Sequence, residues 1–261
     1  MGLHKEEPEV VEDPRLVLKS FNEGIEIFFD VVEHVYEYKG KILKSASTFI
    51  KQYEDQFDDE RISASCSRKW GIDQEDILNL WGSNGEVSSG FGTAIHAVLE
   101  HYYKNKKLGA RIQEVSGKEK NAALPNHPFL QSLIFELDHI RQDGDTLQEV
   151  CISCHKKGLA GQIDDLLILD RKKKICRIRD YKITFDILND NKELKAPFGF
   201  LGSNKLAKNF LQLSFYAFLL EVSGWTVEGI DIFNWCDGWH KYSLEGKDFK
   251  KAVVLVASKH L

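Results

Sequence analysis

The chain has 261 residues, of which 43% are hydrophobic and 29% are charged, and its formal net charge is -5. This length suits one large domain with a substantial buried core, and the composition excludes a fibrous or disordered protein. The acidic balance gives no global attraction for nucleic acid, so nucleic-acid binding would depend on local basic patches and a bound metal ion.

The amino-terminal part is predicted to hold a hairpin followed by a short helix. Residues 1 to about 15 are acidic and proline-containing, so we interpret them as a loosely held tail. From Ile25 to Leu43, β-branched and aromatic residues flank the turn Lys39-Gly40-Lys41, which predicts a β-hairpin. The hydroxyls between Ser45 and Thr48 then offer an N-cap to a helix that runs through Tyr53.

Three more helices are expected before the middle of the chain. The first runs from about Gln74 to Trp81, and the second follows Ser88-Ser89-Gly90 and runs from about Gly92 to Lys104. The third is predicted from apolar residues that recur at helical spacing and form its buried side, namely Phe129, Leu130, Leu133, Ile134, Leu137 and Ile140.

The middle of the chain changes to the period of β-strands. Three strands are predicted at Glu149 to His155, Leu159 to Leu169 and Ile175 to Lys182. The basic sequence from Asp170 to Lys174 forms a tight turn between the last two. Two strands joined this closely must lie side by side.

The last part of the chain is predicted to return to helices. A long helix from about Leu206 to Val222 precedes a strand near Ile230 to Trp235 and a terminal helix near Phe249 to Ser258. These elements predict an α/β or α+β fold in which helices flank a central mixed sheet. We expect residues 16–261 to form a single domain.

Two acidic motifs lie on the adjacent strands: Gly-Gln-Ile-Asp-Asp at 161–165 and Arg-Asp-Tyr-Lys at 179–182. Alternation along a strand puts Asp180 and Lys182 on the same face, and Asp164 lies on the neighbouring strand. Two carboxylates and a lysine suit phosphodiester hydrolysis, because carboxylate oxygens bind Mg²⁺ or Mn²⁺ and a lysine can orient or help deprotonate water. Taken alone, an Asp-x-Lys pattern is more often a solvated face.

Two helical pairs accompany these motifs. His96 and Glu100 are four residues apart and project from one helical face, and Gln212 and Tyr216 repeat this spacing on the long helix. Each pair by itself is typical of an ordinary polar helix edge.

In chain order, Gly-Thr-x-x-His-x-x-x-Glu, Gly-x-x-Asp, Asp-Tyr-Lys and Gln-x-x-x-Tyr resemble the RecB-like branch of the PD-(D/E)XK nuclease superfamily. The resemblance spans about residues 92 to 220. The preceding hairpin and helix are similar to the amino-terminal part of phage-encoded and mitochondrial genome-maintenance exonucleases. The resemblance implies a restriction-endonuclease-like core over 91–261, with 16–90 as an amino-terminal hairpin and helices.

The resemblance also implies roles for the residues of these motifs. One or two Mg²⁺ or Mn²⁺ ions would be held by His96, Asp164, Asp180 and the backbone carbonyl of Tyr181. Lys182 would be the catalytic lysine. Gln212 and Tyr216 would support the site and contact the DNA backbone, and Glu100 would be a second-metal or outer carboxylate.

Other candidate ligands are weaker. Asp165 is the alternative to Asp164, but alternation points it to the opposite face, and Glu149 is a further acidic edge residue. Cys151-Ile-Ser-Cys154-His155 matches a haem-attachment string but lies in a predicted strand. The remaining cysteines are isolated and form no late group of three, so we expect no haem and no iron-sulfur cluster.

Candidate DNA contacts are basic and aromatic. Phosphate contacts are expected at six residues, although a charge run is as often a solvated face: Lys104, Lys106, Lys107, Arg111, Lys205 and Lys208. Trp70, Trp81 and Phe91 would stack bases of a frayed end, but core packing is the favoured interpretation.

Several functions remain in competition: an exonuclease on DNA ends with single strands favoured, a structure-specific or nicking endonuclease, and a catalytically silent DNA-binding scaffold. An RNA substrate stays open because no residue identifies a reader of the 2′-hydroxyl. The sequence contains no Walker A loop, so a helicase or recombination partner would be a separate chain. No apolar run approaches the ~20 residues that span a bilayer, and the start lacks a signal-peptide core, so we expect a cytoplasmic protein without a membrane partner.

Overall fold

The amino-terminal strands form a small antiparallel sheet. The computed structural model describes residues 15–54, 58–105, 128–189 and 194–260. The sheet has the order β1-β2-β3-β4, and its strands are Arg15–Lys19, Glu26–Asp30, Val35–Tyr38 and Lys41–Leu43. The predicted turn is present: Lys39 (φ 49) and Gly40 (φ 77) both adopt the left-handed conformation of a two-residue hairpin turn. Of the predicted tail, residues 1–14 lie outside the described residues.

Three helices follow this sheet: α1 (Ala46–Ile50), α2 (Asp59–Trp70) and α3 (Gln74–Asn105). Ser45 caps α1 as expected, accepting a hydrogen bond from the Thr48 amide. The prediction of two separate helices between 74 and 104 is wrong, because α3 continues through Ser88-Ser89-Gly90. Glycine and serine only weaken a helix, by up to about 1 kcal/mol each, and do not remove a backbone donor as proline does.

The central sheet has five strands in the order β5-β6-β7-β8-β9. They are Asp145–Cys154, Leu159–Asp170, Ile175–Ile183, Thr226–Trp235 and Trp239–Glu245. All neighbours are antiparallel except β7 and β8, which are parallel because a helix connects them. The first four strands confirm the prediction, whereas β9 was not predicted.

Helices cover both faces of this sheet. On one face pack α1, α5 (Lys205–Val222) and α6 (Gly246–Ser258), and on the other pack α3 and α4 (Pro128–Ile140). The expected α/β architecture, a central mixed sheet flanked by helices, is therefore confirmed. No helix among the described residues is long and apolar enough to cross a membrane.

The central sheet opens between β6 and β7, whose paired stretch is shorter than those of its other neighbouring strands. β6 and β7 pair from Asp170 and Ile175 as far as Asp165 and Arg179, and beyond that point β6 pairs with β5 while β7 pairs with β8. The opening therefore begins next to Asp164 on β6 and Asp180 on β7.

Candidate active site

The opening between β6 and β7 brings together three of the residues singled out in the sequence. The Tyr181 amide donates a hydrogen bond to Asp164 Oδ2 over 3.1 Å. From α3, His96 Nε2 lies 2.8 Å from the Tyr181 carbonyl oxygen and His96 Nδ1 lies 3.4 Å from Asp164 Oδ2. The imidazole therefore touches both strands where they separate, which is the placement the sequence motifs predicted.

Buried Asp180 and half-buried Lys182 form an ion pair near this imidazole. Lys182 Nζ lies 2.6 Å from Asp180 Oδ2, and the Asp180 side chain is only 3% exposed. Burial raises the pKa of Asp180 to about 6, although the nearby ammonium opposes this shift. Burial alone would lower the pKa of Lys182, but the carboxylates of Asp180 and Asp164 outweigh it, so the net pKa lies above its usual value.

Glu149 closes the acidic group from the third strand. It lies on β5 opposite Asp164, in a left-handed conformation with φ 51 that is uncommon for glutamate. Gln162 donates a hydrogen bond to its carboxylate over 2.7 Å. Burial, with Asp164 and Glu100 nearby, raises the pKa of Glu149 to about 8. Glu149 therefore lies within the acidic group of the site, whereas the sequence suggested only an acidic residue at its edge.

The Gln212 and Tyr216 pair of α5 lies against β6. Gln212 Nε2 donates to the Tyr216 hydroxyl over 3.0 Å. A Cβ atom at Gly161 would stand 2.3 Å from Cε1 of Tyr216, so the aromatic ring packs directly on the strand backbone. Burial raises the pKa of Tyr216 to about 12. Gly161, the glycine of the 161–165 motif, therefore leaves the space that the ring of Tyr216 occupies.

Two neighbours of the site were not predicted. Tyr36 of β3 is buried, and burial, followed by the proximity of Tyr216, Cys151 and Glu149, raises its pKa. Gln162 lies inside the 161–165 motif, but its bond to Glu149 depends on the pairing of β5 with β6. A single sequence carries no signal for the contact of Tyr36, because that contact joins two different sheets.

Asp165 faces the other side of the sheet, as strand alternation predicted. It is fully buried, with Arg179 Nη2 at 2.8 Å and Arg141 Nη2 at 2.9 Å from Oδ2. The Tyr181 hydroxyl donates to the same oxygen over 2.6 Å, and Gln148 donates to Oδ1 over 2.9 Å. Four donors thus surround Asp165, which we define as the Asp165 cluster.

The basic residues proposed to contact phosphate have partners of their own. Lys104 lies 2.5 Å from Glu100, Lys205 lies 2.6 Å from Asp186, and Lys208 lies 3.5 Å from Glu54. All three are on helices next to the site, at the ends of α3 and α5. The other three predicted contacts lie outside the described residues: Lys106, Lys107 and Arg111.

The predicted stacking residues are more exposed than core packing would allow. Trp70 is 54% exposed and Phe91 is 43% exposed, so the favoured interpretation of core packing is wrong for both. Trp81 is half-buried. Trp70 lies on α2, and Phe91 lies on α3 with its ring 6.5 Å from that of Phe129.

The donor set fits a divalent cation. Ligand atoms of His96, Glu149 and Asp164 all lie within 4.8 Å of one another. Asp180 Oδ2 is buried and has no hydrogen bond of normal geometry, and the Lys182 ammonium 2.6 Å away offsets the cost of burial only in part, since the pKa of Asp180 stays raised. Coordination of a cation would stabilise this buried carboxylate further.

Comparison with known proteins assigns the chain to a family. A family model for the PD-(D/E)XK nuclease superfamily matches residues 62–235, a range that includes His96, Asp164 and Tyr216. No curated protein matches the chain. Among solved structures, a similar chain is described as the crystal structure of SSO0001, at 15% sequence identity and a TM-score of 0.26, covering 64% of this chain and 71% of that chain.

Proposed function

Because this chain belongs to the PD-(D/E)XK nuclease superfamily, we propose that it hydrolyses DNA phosphodiester bonds with the help of one or two divalent metal ions. The observation that carries the proposal is the meeting of Asp164 and His96 where β6 and β7 separate, with the Asp180 carboxyl close enough for both to act on its pKa. By the resemblance of its motifs, we place the chain with the RecB-like branch and with nucleases of DNA repair and recombination.

The proposed ligands are the carboxylates of Asp164 and Asp180, the His96 imidazole and the Tyr181 carbonyl. Glu149 joins this set, and Glu100 lies behind it as an outer carboxylate. When bound, the divalent cation supplies positive charge to the reacting phosphate and makes bound water more acidic. The chain holds its ligands on three strands and one helix, which leaves little freedom to the donor atoms.

Lys182 is proposed to act on the reacting groups rather than on the metal. Its raised pKa keeps it protonated at neutral pH in the metal-free protein. An ammonium group donates hydrogen bonds to an attacking water or to the charge that develops on phosphate oxygens. Gln212 and Tyr216 support the site from α5 and contact the DNA backbone, with Lys104, Lys205 and Lys208 as further phosphate contacts.

We propose an exonuclease that acts on DNA ends and favours single strands, the specificity implied by the resemblance of the motifs. The test is incubation of end-labelled single-stranded, double-stranded and covalently closed circular DNA with Mg²⁺ or Mn²⁺. An exonuclease shortens the linear substrates step by step and leaves the circle intact. Cutting of the circle would instead support the endonuclease alternative.

The matched control is Asp180→Asn, purified in parallel, which removes a charged ligand with almost no change in volume. We expect its rate to fall below a tenth of the wild-type rate, since metal catalysis contributes several kcal/mol. Equal activity of the two proteins would mean that the activity does not come from this site, and the proposed function would fail.

The mixed donor set favours Mn²⁺ over Mg²⁺, because an imidazole nitrogen is a better ligand for Mn²⁺. We expect higher activity with Mn²⁺, and we expect His96→Ala to lose most activity together with this preference. Binding of Mn²⁺ to both proteins, followed by calorimetry, checks the assignment. Unchanged affinity in His96→Ala would show that the histidine is not a ligand.

A further inference from the structure

Four aromatic side chains form a continuous row across the end of the central sheet: Phe91, Phe129, Trp235 and Phe185. Ring centroids are 6.5 Å apart for Phe91 and Phe129, and 5.3 Å apart for Phe129 and Trp235. Phe185 continues the row at 6.3 Å from Trp235. We call these four residues the aromatic row.

Both ends of the aromatic row are open to solvent. Phe185 is 78% exposed and Phe91 is 43% exposed, while Phe129 and Trp235 are half-buried and support them from α4 and β8. Single exposed aromatic residues are normal on a protein surface, and Phe135 of α4 is one at 66% exposure. A connected row of rings whose faces and edges reach solvent is a different feature, because it offers an extended apolar surface.

The row is tied to the elements that carry the proposed catalytic groups. Phe185 lies three residues after Lys182 along the chain, a separation that spans at most about 11 Å. Phe91 lies five residues before His96 on the same helix, which is about 7.5 Å along the helix axis. Both separations are no longer than one or two nucleotides of an extended strand, so the row is within reach of DNA whose phosphate lies at Lys182.

The chemistry of the row suits nucleobases rather than phosphates. The four side chains of the row carry no charge, and the residue after Phe185 is Asp186, an acidic residue that lies 2.6 Å from Lys205. Aromatic side chains stack on the flat faces of bases without regard to sequence. In a duplex those faces are covered by neighbouring base pairs, whereas in a single strand or a frayed end they are available.

We infer that the aromatic row is a stacking site for unpaired bases next to the scissile phosphate, with Phe185 as its most exposed platform. This inference rests on the proposed nuclease function and names the substrate feature that the site selects. It gives a physical reason for a preference for single strands, because stacking on the row stabilises the binding of bases that are already unstacked. Paired ends must first fray, which costs base-pairing and stacking energy.

The test compares Phe185→Ala with Phe135→Ala, a control that removes another largely exposed phenylalanine, one outside the row. The probe is an end-labelled single-stranded oligodeoxynucleotide, and its binding is followed by fluorescence anisotropy in EDTA so that no cleavage occurs. One stacked base strengthens binding roughly five- to hundredfold. We expect Phe185→Ala to weaken binding about tenfold and Phe135→Ala to stay within about twofold.

A second arm uses the same oligonucleotide with one abasic nucleotide placed at successive positions near the end. At the stacked position, wild type and Phe185→Ala should bind equally, because neither complex contains the stack. A blunt duplex should show no difference between the two proteins. Retained melting temperature of both variants, expected for exposed side chains, excludes an effect of unfolding.

Three results would overturn the inference. Phe185→Ala could bind as the control does, it could lose the same factor on blunt duplex, or its defect could persist at every abasic position, which would point to another partner for the row. If wild type cleaves DNA and Asp180→Asn does not, any of these results removes the stacking site alone. If wild type neither binds nor cleaves DNA, the proposed function fails as well.

Discussion

Asp164 and Asp165 are neighbours in sequence with opposite surroundings. Asp164 faces Asp180, Glu149 and His96 in the opening of the sheet, and its carboxylate accepts a hydrogen bond from the Tyr181 amide. Asp165 faces two guanidinium groups, a tyrosine hydroxyl and a glutamine amide. The sheet therefore separates a side with an excess of carboxylates from a side with an excess of guanidinium groups.

The difference shows what distinguishes a structural charge from a reactive one. A buried charge that is surrounded by complementary donors is satisfied by the protein itself, and removing one partner leaves the others uncompensated. Carboxylates that face one another are not satisfied by the protein, and the raised pKa values of Asp180 and Glu149 express this, with burial as the largest cause. A group of carboxylates of this kind is suited to binding a cation from solution.

The largest effects are expected when the negative charge is removed from one side of the sheet or from the other. Asp164→Asn should lower the cleavage rate about a thousandfold while leaving the melting temperature unchanged or higher, since it removes a ligand and relieves repulsion. Asp165→Asn should lower the stability by about 3–5 kcal/mol, because Arg141 and Arg179 lose their buried counter-ion. Initial cleavage rates and melting temperatures of both variants are the measurements. If the two variants lost the same amount of activity and the same amount of stability, the contrast between Asp164 and Asp165 would be refuted.

A smaller effect is expected at Lys182, which pairs with Asp180. Lys182→Ala should reduce the rate about a hundredfold at saturating metal, with metal affinity within about threefold of wild type. Single-turnover rates and calorimetric titration with Mn²⁺ separate the two quantities. The role assigned to Lys182 would be contradicted by lost metal binding together with an unchanged rate at saturating metal.

The smallest effect concerns the pH dependence of the metal-free protein. Because burial raises the pKa of Glu149 from 4.5 to about 8, the folded state binds more protons than the unfolded state between these values. Stability must then fall as pH rises through this window, by about 1–3 kcal/mol after solvent screening. Urea unfolding in EDTA at pH 5 and pH 8 measures the loss, and Glu149→Gln should reduce it. A wild-type stability that rises between these pH values would disprove the assignment.

The sequence was sufficient for the parts of the fold and site that depend on local pattern. Strand alternation separated Asp164 from Asp165, and helical spacing placed His96 beside Glu100 and Gln212 beside Tyr216. The tight turn after β6 was enough to put Asp164 and Asp180 on adjacent strands. The roles of these residues as ligands and catalysts remain predictions, because their positions alone do not measure chemistry.

What the sequence missed depends on contacts between distant segments. Arg141 enters the Asp165 cluster from the end of α4, and Tyr36 reaches the site from the small sheet. The continuity of α3 was also missed, since the local sequence Ser88-Ser89-Gly90 predicts the end of one helix and the start of another, whereas the structure has a single helix there. Neither local propensity nor periodicity encodes which segments meet in space.

The close approach of Tyr216 to Gly161 limits how this sequence can diverge. A methyl group at position 161 would overlap the ring, so an alanine there is acceptable only when position 216 carries a smaller side chain. The two positions are therefore coupled rather than independent. A smaller side chain at position 216, which would make room for the methyl group, also removes the hydroxyl that Gln212 binds, so relief of the overlap at Gly161 disturbs the contact with Gln212 as well.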